Sequence, residues 1–201
     1  GPDLECGSEF SLFCREPGTN ADILPESSGD GCLHLPGMGL MILRDDREGP
    51  DRTMAFVDYG PYVPVSHKHP DYLNIGLYAG GQILLPDNGY NWNPEWARLW
   101  ERDASSHNTV LEIAEQPEGG QPLIWCITPG PRIAEAGLPD RNSRLIAMLP
   151  RPRALPLIVD VLRVSGESEV YNWLLHARSG RLDISGVGPL EPVPVIEPFR
   201  S

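Results

Sequence analysis

From Gly39 onward, short apolar runs broken by turn residues dominate the chain. G-L-M-I-L-R and T-M-A-F-V-D-Y flank the polar cluster R-D-D-R-E-G-P-D and read as a strand pair. Y-L-N-I-G-L-Y-A alternates, with Leu73, Ile75, Leu77 and Ala79 on one face and Tyr72, Asn74, Gly76 and Tyr78 on the other. Gly80 and Gly81 tolerate positive φ and Q-I-L-L-P follows, so residues 72–86 are predicted to form a β-hairpin. Beyond His107 the runs H-N-T-V-L-E-I, P-L-I-W-C-I-T, S-R-L-I-A-M-L-P, P-L-I-V-D-V-L-R-V-S, E-V-Y-N-W-L-L-H-A and R-L-D-I-S recur at roughly ten-residue spacing. This pattern predicts an all-β chain, an antiparallel β-sandwich without a helix of ordinary length. One aromatic segment interrupts it. Trp92, Trp96 and Trp100 recur every four residues, and a short helical turn after Pro94 would stack them.

The two ends read differently. Residues 1–10 have the character of a vector-derived tag, and residues 11–36 are polar and aperiodic, an irregular lead-in. The remainder, 37–201, is expected to be one domain, with the proline-rich G-V-G-P-L-E-P-V-P-V at its end an edge segment.

Composition narrows the functional classes. A formal net charge of −12 with a single lysine, Lys68, excludes the cation density that nucleic acids or anionic membranes demand. No apolar run reaches the 18 or so residues of a membrane span. Apart from Cys6, the cysteines Cys14, Cys32 and Cys126 are odd in number and form no C-x-x-C pair, so neither a disulfide framework nor a cysteine metal site is indicated. Cys126, inside an apolar run, is expected in the core.

Candidate chemistry concentrates between Tyr59 and Thr109. His67, His69 and His107 are three of the five histidines, and Asp71 and Asp87 stand among them. In an extended segment His67, His69 and Asp71 leave one face of the backbone. The hairpin carries His69 at its entrance and Asp87 at its exit, so antiparallel pairing brings those two to the same end. His69, Asp87 and His107 would make a three-ligand zinc site with a fourth position open, leaving His67 beside it for proton transfer or carboxylate contact. Asn108 can orient a substrate or cap a strand. The aromatic segment, with Tyr90 and Trp92, serves either as a plug for the end of a sandwich or as a sugar platform. Arg98, Arg102 and Lys68 are the local cations for a carboxylate or sulfate. His34 reads as a surface or half-buried histidine and His176 as structural.

S-H-K-H-P-D-Y-L-N-I-G-L-Y-A-G-G-Q-I-L-L-P-D-N-G-Y followed by R-D-A-S-S-H-N-T-V-L resembles the C-terminal β-sheet domain of heparinase II/III-like polysaccharide lyases, as do F-V-D-Y-G-P, V-D-V-L-R-V-S-G and Y-N-W-L-L-H-A. The resemblance covers approximately residues 37–186. It implies a β-sandwich of the supersandwich type, preceded in such enzymes by a helical toroid, with the cleft between the two. It further implies that His69, Asp87 and His107 bind zinc and that His67 faces the substrate. The implied reaction is β-elimination on uronic-acid-containing polysaccharide by a periplasmic or secreted enzyme. The tyrosine and second histidine that carry the proton transfers in such enzymes belong to the helical domain, which is expected to be absent here, and the last strands of the β-domain are expected to be missing too. By itself the chain is therefore expected to be inactive. Two rivals stand beside this reading. A cupin-like metal enzyme fits worse, because Leu73 and Asn74 occupy the place of its glutamate and Trp92 that of its later histidine. A non-catalytic carbohydrate-binding sandwich would use the tryptophans alone.

Overall fold

A computed structural model describes residues 31–60, 71–87, 100, 103–110, 119–138, 141–165, 171–178 and 185. Nine strands form two antiparallel sheets among them. The first contains β1 (Leu33–Leu35), β2 (Leu40–Arg44), β3 (Met54–Asp58), β4 (Ile75–Ala79) and β5 (Gln82–Leu85), in that spatial order. The second contains β6 (Gln121–Ile127), β7 (Arg132–Gly137), β8 (Ser143–Arg151) and β9 (Ala154–Arg163), again in chain order. Both are simple meanders, whereas a cupin barrel is a jelly roll built from Greek-key crossings. β2 and β3 pack across β7 and β8, giving the sandwich expected from the pattern.

Alternation builds the interface. Met41 and Leu43 from β2, Ala55 and Val57 from β3, and Ile75 from β4 face inward and meet Ala134, Ala136, Ile146 and Met148 of the second sheet. Met41, Val57 and Ile75 lie in one cross-strand row, so a one-residue slip would turn this whole set outward. At full burial each such aliphatic side chain contributes about 1.5–3 kcal/mol.

Several local expectations change. Leu33–Leu35 is a strand pairing with β2, so the stretch read as an irregular lead-in contains part of the sheet. The hairpin strand starts at Ile75, because Leu73 adopts φ 57° and Asn74 N donates to Asp71 O at 2.8 Å, making a turn of Asp71–Asn74. β7 was not anticipated. In the runs beginning at His107 and Glu169, the described residues are irregular apart from one bridge, Val110 to Trp173. Cys126 is exposed: Trp125 and Ile127 take the inward phase of edge strand β6, which turns the thiol outward. The helical turn predicted after Pro94 and the strand R-L-D-I-S lie outside the described residues, Trp100 and Ser185 apart. Among the described residues no helix is long and apolar enough to cross a membrane.

Candidate functional site at the base of the hairpin

The hairpin turns at Gly80 and Gly81, with φ of 57° and 76°, the backbone region a tight two-residue turn requires of both. β5 carries one residue more than its partner: Leu77 pairs with Leu85 but Tyr78 pairs with Ile83, leaving Leu84 as a bulge. The chain then delivers Asp87 to the base of the hairpin.

His107 arrives there from a separate element. Ala104–Ser106 is a single 3-10 turn whose start is capped by Asp103, its carboxylate accepting from Ser105 N at 2.8 Å, and His107 N closes it on Ala104 O at 3.2 Å. His107 is wholly buried, and its Nδ1 lies 2.8 Å from Asp87 Oδ1, while the Asp87 side chain keeps 36 % of its surface exposed. The contact joins the hairpin exit to the S-H-N-T segment and leaves the carboxylate open to solvent on one side.

Asn108 locks the arrangement. Its Nδ2 donates to Ile75 O and Pro86 O, both at 3.0 Å, and its Oδ1 accepts from His176 N at 2.6 Å. Its backbone N donates to Asn74 Oδ1 at 2.9 Å, and the next residue, Thr109, donates from Oγ1 to Tyr72 O at 2.8 Å. Asn108 is expected either to orient a substrate or to cap a strand. It is fully buried with its amide bonded to backbone groups, where it positions its neighbours. His176 is structural as expected, its Nε2 lying 2.8 Å from Ser105 O and its ring edge-on to Trp100 at 5.8 Å.

Arg144, which is not among the candidates read from the sequence, reaches the same place from the second sheet. Its guanidinium donates to Leu73 O at 2.8 Å and to Asn108 O, and forks onto Asp160 at 2.8 and 2.6 Å. A signal was present: Arg144 and Asp160 each occupy the inward phase of an apolar strand, where a charge needs a partner.

Acidic groups crowd the imidazole. Burial raises the Asp71 carboxyl to about 7; the neighbouring Asp58 and Asp87 carboxylates add to the rise and His107 opposes it. Burial alone pushes the Tyr72 hydroxyl up to about 12. Of the expected ligands, Asp87 and His107 are thus brought together. His69 and His67 lie outside the described residues, as do Lys68, Tyr90, Trp92, Arg98 and Arg102. Trp173, 56 % exposed and bridged to Val110, adds an aromatic surface close to this segment.

Two of the three expected zinc donors, Asp87 and His107, stand side by side; among the described residues no third His, Cys, Asp or Glu completes a metal-holding group with them. Two ligand atoms on a tetrahedral zinc stand about 3.3 Å apart, for bonds of about 2.0–2.1 Å. The 2.8 Å between Nδ1 and Oδ1 is shorter than that span and is a hydrogen bond as it stands.

Residues 29–119 match the family model described as heparinase II/III-like, C-terminal. A comparison with curated proteins found no match. Among solved structures, the heparinase III BT4657 gene product is similar at 21 % identity and a TM-score of 0.51, over 67 % of this chain and 22 % of that one. Its form with methylated lysines gives 22 % identity and 0.51 over the same shares. A further structure of heparinase III is 20 % identical over 59 % of this chain and 20 % of its own, with a TM-score of 0.47. The chain thus spans about a fifth of the length of the solved structures it matches. The matched residues hold the whole first sheet, the hairpin and the His107–Asp87 contact, so the similarity to the heparinase II/III-like C-terminal family falls on the part of the chain that builds the candidate site.

Proposed function

We propose that this chain forms the metal-binding wall of the cleft in a polysaccharide lyase that cleaves uronic-acid-containing polysaccharide by β-elimination. The observation that carries the reading is the 2.8 Å approach of His107 Nδ1 to Asp87 Oδ1 at the base of a hairpin whose first strand follows His69 in the sequence. His69, Asp87 and His107 hold zinc, and the carboxylates of Asp58 and Asp71 add an acidic setting that favours a divalent cation. Bound there, zinc supplies a fixed positive charge to a site otherwise crowded with carboxylates.

The chain's own residues do the rest. Asn108 and Asp103 hold His107 at its place, one by clamping the following peptide and the other by capping the turn before it. His67, two residues before His69, faces the sugar and as an imidazolium donates a hydrogen bond to the uronate carboxylate, which eases loss of the C5 proton. Transfer of that proton and protonation of the leaving oxygen fall to a tyrosine and a histidine of a preceding helical domain. The 201-residue chain by itself is therefore expected to yield no unsaturated product, measured as ultraviolet absorbance; appreciable product would refute this division of labour.

Elemental analysis tests the metal directly. Purified chain should hold one equivalent of zinc, and His107→Ala or Asp87→Ala should weaken zinc binding by about 100-fold or more in calorimetric titration. A chain without a stoichiometric divalent ion overturns the proposal. Retained oligosaccharide binding without metal would favour a carbohydrate-binding module, for which exposed Trp173 provides a stacking face.

A further inference from the structure

The far end of the hairpin carries a second feature. An open hollow of about 470 Å³ is lined by Tyr78, Gly81, Gln82, Ile83 and Arg178. Arg178 comes from the segment that passes the candidate metal site, where Leu174 N donates to Thr109 O at 2.8 Å and His176 N to Asn108 Oδ1. The segment reaches β5 by one backbone bond, Arg178 N to Leu84 O at 2.9 Å. Leu84 is the bulged residue, so the bulge offers the carbonyl that anchors Arg178 at the mouth of the hollow.

The chemistry of the lining is specific. Among the described residues the Arg178 guanidinium makes no hydrogen bond or ion pair and the side chain is exposed, in a chain with formal net charge −12. Arg47, Arg132, Arg144 and Arg163, by contrast, are each engaged by a carboxylate. Beside Arg178 stand the Tyr78 ring, fixed by its hydroxyl donating to Pro50 O at 3.4 Å, and Ile83, 48 % exposed. Gln82 adds an exposed amide. A cation fork, an aromatic ring, an aliphatic side chain and an amide around one open hollow match a sugar that bears an anionic group: the fork takes the anion, the ring and Ile83 take apolar C–H faces, and the amide takes a hydroxyl.

We propose that this hollow is a remote subsite for an acidic sugar, held through Arg178 on its carboxylate or sulfate. It deepens the lyase reading and rests on it for the substrate class. From Gln82 to Asp87 the strand climbs roughly 16 Å at about 3.3 Å per residue, a span that a chain of several sugar units bridges. One polysaccharide can then lie along the hairpin with one unit at Asp87 and another at Arg178.

The test uses the 201-residue chain, zinc-loaded, with three oligosaccharides of equal length: sulfated uronate-containing, unsulfated uronate-containing and uncharged. In nuclear magnetic resonance titrations the Arg178 Nε–H and Gln82 side-chain amide signals should shift with the acidic oligosaccharides and stay still with the uncharged one. A larger response to the sulfated probe assigns the anion as sulfate, and equal responses assign it as the carboxylate. Arg178→Gln should weaken binding about five- to ten-fold and Arg178→Lys should restore part of it. Unmoved Arg178 and Gln82 signals, or an Arg178→Gln chain that binds as the parent does, overturn the subsite. Zinc stoichiometry and shifts near His107 are read in the same samples, so a failed subsite leaves the hairpin-base reading standing, and a failed metal site is seen separately.

Discussion

Arg144 is the side chain through which the second sheet grips the candidate site. It is wholly buried, shares its charge with Asp160 and caps two carbonyls, those of Leu73 and Asn108, that sheet pairing leaves free. Removing it strands a buried carboxylate and two acceptors together. Arg144→Met is expected to cost about 3–5 kcal/mol in urea denaturation, and adding Asp160→Leu should recover part of that loss. If the single variant loses under 1 kcal/mol, the buried network does not hold the sheets in register. The neighbouring Leu73 sits at φ 57°, a conformation costing about 1–3 kcal/mol for a branched residue, and the Arg144 contact to its carbonyl is one of the bonds that hold it there. At this scale the sequence was half legible. Hairpin geometry placed Asp87 correctly because a glycine pair fixes where a ribbon turns. It could not show that Asn108 is consumed internally, since a polar residue beside a histidine looks the same whether its amide meets solvent or backbone. Nor does L-I-W-C-I, apolar on both phases, reveal which side faces in, and Cys126 fell on the outer one.

The hairpin is the element on which both sites depend, and its close packing is set by Gly76. That residue pairs with Phe56 across β3 and β4, and a β-carbon there would run into the Phe56 ring. Gly76→Ala is expected to destabilise the fold by about 1–3 kcal/mol and to lower zinc affinity as the strand shifts; unchanged melting together with unchanged zinc titration would show that the ring simply swings aside. Strands β2 to β5, β6, β8 and β9 were readable because their apolar residues keep a two-residue period or a dense β-branched run. β7, R-I-A-E-A-G, was not, since alanine, glutamate and glycine have little strand preference of their own. It is a strand because β6 and β8 flank it on both sides and its small Ala134 and Ala136 fit between the two layers. S-H-N-T misled in the opposite direction, its polar residues serving a turn and a buried hydrogen-bond cluster in place of a ladder.

At the scale of the whole molecule, the two sheets also meet at His34. Its Nε2 lies 2.7 Å from the Tyr59 hydroxyl and its ring 5.5 Å from that of Trp125 on β6. Burial lowers its pKa from the ordinary value of 6.5, so the folded chain disfavours the imidazolium. The unfolded chain then binds more protons in this range, and the stability tied to His34 is complete above pH 6.5 and is lost as pH falls through the depressed value. The difference in melting temperature between parent and His34→Gln should therefore shrink on acidification from pH 7.5 to about 5. A difference that stays constant or widens would sink the assignment. The second sheet's other face keeps Ile124, Leu157 and Val161 partly in solvent, with Arg163 and Glu135 paired among them, so the sandwich described is apolar on a surface that its own two layers do not cover.

The extra residue at Leu84 makes chain length, more than side-chain identity, the quantity that must be kept in β5. Substituting Leu84 would alter one half-buried contact, whereas deleting it would leave Leu85 opposite Leu77 on an even ladder, straightening the strand that delivers Asp87 and withdrawing the carbonyl that holds Arg178. Relatives that vary freely in composition along this ribbon can therefore still be expected to agree in its count of residues.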